Sequence, residues 1–64
     1  MSPIGRAVAT SKGGQTKSLI LETALKMFRD RGYEATTMRA IAKKAGVSLG
    51  NAYYYFPSKE LLIQ

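Results

Sequence analysis

Apolar side chains recur at helical spacing three times between Ile20 and Phe56, and each recurrence ends at a residue that stops a helix. In the first, Ile20, Leu21, Ala24, Leu25 and Phe28 fall at i, i+1, i+4, i+5 and i+8, one broad apolar stripe with Lys26, Arg29 and Asp30 outside it. Thr16 is placed to cap this helix, because a hydroxyl there can accept from a free amide of the first turn. The spacing predicts a helix from about Lys17 to Arg31. Gly32 then supplies the left-handed residue that ends it, and Tyr33 folds back onto the helix end. In the second recurrence Met38, Ile41, Ala42 and Ala45 stand at i, i+3, i+4 and i+7, with Arg39, Lys43 and Lys44 on the other side. Thr36 or Thr37 caps it, with no glutamate three residues on to complete a capping box. Gly46 ends it and permits a sharp turn, and Val47 plugs that turn into the core.

Ser48 is the expected cap of a third helix, about Leu49 to Tyr55, with Ala52 and Phe56 as its buried edge. Pro57 discourages continuation. Ser58 is expected to cap a fourth helix that begins Lys59-Glu60-Leu61-Leu62-Ile63, an apolar run with little in the chain to bury it, as if the helix continued in a longer protein. Met1 to Gln15 carry Pro3, Gly5, Gly13 and Gly14 with Arg6 and Lys12 and no amphipathic period. They read as a flexible basic leader over 1–15, or as an arm that lies along phosphates or in a minor groove. The predicted fold is all-α: a three-helix, homeodomain-like helix-turn-helix bundle plus the start of a fourth helix. One domain occupies 16–64, with the helix-turn-helix at 37–56.

The third helix exposes more than a core can use. Successive helical residues are about 100° apart, so Tyr53, Tyr54 and Tyr55 cannot all face inward. Ordinary half-buried tyrosines with wet hydroxyls account for one such residue more easily than for three beside a basic face. Gly50 costs about 1 kcal/mol inside a helix relative to alanine. Without a side chain it lets the helix backbone approach a base edge, and Asn51 beside it can pair with a base or a phosphate. Both features suit a helix that enters the major groove.

Charge points the same way. Ten Lys and Arg stand against four Asp and Glu, a net charge of +6, which favours an anionic partner. Between Thr36 and Phe56 there are three cations and no carboxylate to oppose a phosphate. Lys59 stands at the start of its helix, the unfavourable end for a cation, where a docked phosphate satisfies it. The chain has no cysteine and no histidine, and its four carboxylates are scattered. That argues against an enzyme, a catalytic residue, a metal site or a cofactor. No apolar run reaches the ~18 residues of a membrane span, and no signal peptide opens the chain, so a cytoplasmic protein is expected. The rival reading, a cationic helical module for membrane surfaces or a protein partner, needs a continuous basic helix that Gly32, Gly46 and Pro57 interrupt. An RNA reader is also weighed, but the patterns of common RNA-binding modules are missing.

The run from Gly32 to Ser48, GYEATTMRAIAKKAGVS, followed by Gly50 to Leu62, GNAYYYFPSKELL, closely resembles the N-terminal domain of TetR-family transcriptional regulators. With helix one the resemblance covers about three quarters of the chain. It implies a sequence-specific DNA-reading head, in most members part of a repressor released by a small-molecule ligand. In the family a ligand-binding and dimerisation domain follows, and it is expected to lie outside these residues. The implied partners are a palindromic operator in double-stranded DNA, a second copy in the full-length protein, and a small ligand for the missing domain. Carried over, phosphate contacts fall on Thr36, Thr37, Tyr53 or Tyr54, and Lys59. Base-edge contacts fall on Met38 or Arg39, on Leu49, Gly50 and Asn51, and on the Tyr53–Tyr55 group, with Ser48 at the cap completing the DNA-binding set. Three positions depart from the family's habit. Residue 40 is often acidic and is Ala, 49 is often polar or basic and is Leu, and 55 is often histidine and is Tyr. These departures bear on the target sequence and leave the function in place.

Overall fold

The computed structural model describes residues 12–63. Three α-helices are present there: α1 (Lys12–Arg31), α2 (Met38–Ala45) and α3 (Leu49–Tyr55). A short 3-10 turn, η1 (Lys59–Leu62), follows. α2 and α3 pack on one another, and α1 lies across both and touches η1. No strand is found among the described residues.

The core is one contiguous cluster. Ile20, Ala24 and Met27 enter it from α1, Met38, Ile41 and Ala42 from α2, Ala52 and Phe56 from α3 and its end, and Leu62 from η1. Ile20, Ile41 and Leu62 are fully buried, each contributing about 1.5–3 kcal/mol of apolar burial. Ala45, Val47, Leu49 and Tyr55 lean on this cluster half-buried. The inward edge of α1 is thus Ile20, Ala24, Met27 at i, i+4, i+7, narrower than the expected stripe, with Met27 in it and Leu25 only half-buried.

Both left-handed glycines are where the pattern required them. Gly32 has φ +94° and Gly46 has φ +80°. Gly32 N donates to Phe28 O at 2.8 Å, closing the end of α1, and Tyr33 folds back so that its ring lies 5.0 Å from that of Phe28. At the end of α2, Gly46 N donates to Lys43 O at 3.2 Å and Val47 N to Ala42 O at 2.9 Å. This pair of bonds is a Schellman motif, which satisfies two carbonyls the helix leaves free. It also turns the chain sharply enough to send α3 across α2.

Two elements differ from expectation. α1 begins at Lys12, a full turn before Thr16, so Thr16 lies inside the helix and 12–15 are helical instead of leader. Glycine lowers helix propensity by about 1 kcal/mol without forbidding the geometry, so Gly13 and Gly14 weaken this turn without ending it. The remaining leader, with the basic arm read on Arg6, lies outside the described residues. The fourth element is a single 3-10 turn with no side-chain cap from Ser58. Its Leu62 is fully buried against α1, while Leu61 and Ile63 stay exposed. One residue of the apolar run therefore completes the core, the role the sequence left open.

Candidate nucleic-acid interface

The two helices of the 37–56 unit start from caps of the same kind. Thr37 has extended backbone, and its Oγ1 accepts from Ala40 N at 3.1 Å. Ser48, also extended, accepts through Oγ from Asn51 N at 3.0 Å. Each cap satisfies one of the amides a helix leaves free and stabilises its helix by about 1 kcal/mol. Both cap residues are exposed. They hold the first turns of α2 and α3 open to solvent, with Arg39 exposed beside the first and Gly50 and Asn51 exposed in the second.

On α3 the buried edge is Ala52 and Phe56, with Leu49 and Tyr55 half-buried beside it. The opposite face carries Gly50, Asn51, Tyr53 and Tyr54. Tyr54 is 77% exposed and Tyr53 43%, and Tyr55 meets Tyr54 edge-on with ring centroids 5.0 Å apart and planes at 84°. That contact steadies the most exposed aromatic ring of the helix without covering it. A methyl group built at Gly50 meets nothing within 4 Å, and the residue lacks positive φ. The fold therefore places no steric or conformational demand for glycine at this position.

Three of the expected contact residues are turned elsewhere. Thr36 is fully buried, and its hydroxyl donates to Gly32 O at 2.8 Å, with Met27 O next at 3.4 Å. Met38 is in the core at 6% exposure, so the side chain offered outward at the start of α2 is Arg39. Lys59 Nζ donates to Tyr33 O at 2.8 Å and to Thr36 O at 2.9 Å, with the Tyr33 ring centroid 4.1 Å away. Met38 goes inward as an apolar residue of the core, while the placements of Thr36 and Lys59 share another cause. The loop from Gly32 to Thr37 has carbonyls without helical partners, and burial makes satisfying them worth more than solvating a hydroxyl or an ammonium. The Tyr33 phenol in this cluster is held above its ordinary pKa, first by burial and then by the Glu60 and Glu34 carboxylates.

Several other basic side chains have local roles. Lys26 pairs with Asp30 at 3.1 Å across one exposed turn of α1, a contact worth a few tenths of a kcal/mol. Arg29 and Arg31 in α1, and Lys43 and Lys44 in α2, sit in last turns, where cations favour the helix dipole. No group of three or more His, Cys, Asp or Glu able to hold a metal occurs among the described residues. No helix there is long and apolar enough to cross a membrane.

Comparison with known proteins agrees with this geometry. A family model described as bacterial regulatory proteins, tetR family, matches residues 20–64. The chain is 49% identical over 49 residues to the uncharacterized HTH-type transcriptional regulator YuxN of Bacillus subtilis (strain 168), covering 77% of the chain and 17% of that protein. It is 41% identical over 54 residues to the HTH-type transcriptional repressor KstR2 of Mycolicibacterium smegmatis, covering 84% of the chain and 26% of the relative. It is also 41% identical over 49 residues to the HTH-type transcriptional regulator UidR of Escherichia coli (strain K12), covering 77% and 25%. The chain thus spans about a quarter or less of the length of these relatives. Its similarity to them falls on the three-helix unit just described, and the chain belongs to the TetR family of bacterial transcriptional regulators, matching their N-terminal helix-turn-helix DNA-binding domain.

Proposed function

We propose that α3 is the reading helix of this domain, lying in the major groove with Leu49, Gly50, Asn51 and the Tyr53–Tyr55 group toward DNA. Thr37, Arg39 and Ser48 approach the flanking phosphates or base edges. The observation that carries this reading is Gly50: a glycine that the fold does not need, on an exposed face beside Tyr54. A side chain there would hold the helix backbone off the groove floor, whereas glycine admits close approach. Asn51 offers both a donor and an acceptor to a base edge, and the tyrosines offer flat apolar area and a hydroxyl for sugar and phosphate oxygens.

In this reading two copies bind a palindromic operator, with half-sites about 34–36 Å apart or a multiple of that. Dimerisation and release by a small-molecule ligand belong to the remainder of a full-length protein, and the output is repression, as for the related transcriptional repressor KstR2. The DNA partner puts the protein in the cytoplasm, at the nucleoid. A membrane-surface role finds less support, because the helices spend their apolar faces on one another and leave Leu19, Leu61 and Ile63 as separated exposed positions.

Fluorescence anisotropy with a labelled duplex recovered by selection from a randomised pool tests the proposal, using a scrambled duplex and anionic vesicles as controls. The selected duplex is expected to bind more tightly than the scrambled one, with affinity falling as salt rises. Affinity indifferent to salt, or vesicle binding without duplex preference, overturns it.

A further inference from the structure

We propose that α3 reads A·T pairs: Leu49 packs on a thymine methyl, Asn51 pairs with an adenine, and guanine is left to Arg39 of α2. The half-site is then A·T under α3, with a G·C pair at the edge nearer α2. The inference rests on the DNA reading above.

The chemistry of the face selects the bases. In the major groove guanine is matched by the N–H donors of an arginine or lysine, and cytosine by a carboxylate that accepts from its amino group. Adenine is matched by the donor and acceptor of one side-chain amide, and thymine by apolar contact with its methyl group. α3, LGNAYYY, holds no cation and no carboxylate. Of the four matches it supplies two, an exposed amide at Asn51 and apolar surface at Leu49, Tyr53 and Tyr54. The tyrosine hydroxyls both donate and accept, so they favour neither pair, while their rings favour the methyl. The exposed cation in the first turn of α2 is Arg39, and Lys43 and Lys44 stand in its last turn.

The fold groups and steadies these side chains. Leu49 and Tyr53 stand at i, i+4, and Asn51 and Tyr54 at i, i+3, so each pair shares a face. Gly50 between Leu49 and Asn51 leaves open space, into which a methyl-bearing base edge fits. Leu49 is half-buried and packs against the core, so the apolar edge it keeps in solvent is held before DNA arrives. Asn51 N donates to Ser48 Oγ at 3.0 Å, which fixes the backbone beneath the side-chain amide.

Selection from a randomised pool, repeated with Leu49→Ala, Asn51→Ala and Arg39→Ala, locates the pair that each residue reads. The positions whose preference changes with Leu49→Ala and Asn51→Ala are expected to be A·T in the wild-type selection, and the one that changes with Arg39→Ala to be G·C. Base analogues then test the contacts by anisotropy. Deoxyuridine for thymidine at the Leu49 position removes one methyl group. It is expected to lower wild-type affinity about fourfold, the worth of burying that group, and to leave Leu49→Ala unaffected. Deoxy-7-deazaadenosine at the Asn51 position removes the N7 acceptor. It is expected to cost the wild type about fivefold, one hydrogen bond, and Asn51→Ala nothing. The slope of log affinity against log salt stays constant with both analogues, because no charge changes. G·C pairs at the Leu49 and Asn51 positions overturn the proposal. So does full affinity for both analogue duplexes, or an equal deoxyuridine loss in Leu49→Ala, which assigns the preference to DNA shape. If Leu49→Ala loses its helical circular dichroism, deoxyuridine at each thymidine in turn, with the wild-type chain, decides: no position worth fourfold overturns the proposal. Failure of the wild-type chain to prefer the selected over the scrambled duplex removes the DNA reading itself, an outcome distinct from all of these.

Discussion

Gly50 occupies the first turn of α3 with open space where its Cβ would be. Gly50→Ala is therefore expected to stabilise the chain by up to about 1 kcal/mol, seen as a higher melting temperature, and to weaken duplex binding by anisotropy. A variant that gains stability and keeps full affinity removes the argument from this residue. Tyr54, 77% exposed, behaves differently. Tyr54→Ala should change stability by no more than about 0.5 kcal/mol while lowering affinity across many duplexes. Asn51→Ala should instead alter which duplexes are selected; an equal loss at every sequence assigns Asn51 to the backbone and not to a base. The tyrosine face was legible in sequence because consecutive helical residues cannot share one side. The inward face of α2, with Met38 on it, was equally legible, but the burial of Thr36 was not. A threonine before an apolar run satisfies a cap pattern whether or not its hydroxyl is taken by a carbonyl of the preceding turn, and here Gly32 O takes it.

At the scale of the element, two hydroxyl caps and a left-handed glycine define the helix-turn-helix. Gly46→Ala meets no neighbour but must adopt φ near +80°, which costs about 1–2 kcal/mol in chemical denaturation. Ser48→Ala removes the bond to Asn51 N and costs about 1 kcal/mol, loosening the very turn that carries Gly50 and Asn51. The loop at Tyr33 adds a pH dependence. Its phenol has a folded-state pKa above the ordinary 10.0, so the folded chain holds that proton more tightly than the unfolded one. Stability from this group is intact below about pH 10 and is lost as pH rises through the raised value, which alkaline denaturation monitored by circular dichroism checks. Helices two and three could be read almost to the residue because Gly46 and the two hydroxyls are strong local punctuation. The start of α1 could not, since nothing near Thr16 competes with one more helical turn. Ser58 and the apolar run Leu61-Leu62-Ile63 predict a fourth α-helix, while only contact with α1 decides that a 3-10 turn forms and that Leu62 alone goes inward.

On the scale of the whole molecule, a net charge of +6 is distributed with a purpose the composition cannot show. Lys26 is spent on Asp30 and Lys59 on loop carbonyls, and last-turn cations serve helix ends. What remains beside α3 is a surface poor in charge and rich in tyrosine, with Arg39 at its margin. In the proposed mode this surface, and no other, meets DNA. The most direct test is amide chemical-shift mapping of the labelled chain on addition of the selected duplex. The largest changes are expected at Thr37, Arg39, Ser48 to Asn51, Tyr53 and Tyr54, with Lys26, Asp30, Arg31 and Lys44 in the groove between α1 and α2 little affected. Changes concentrated in that groove, with α3 unmoved, would contradict it.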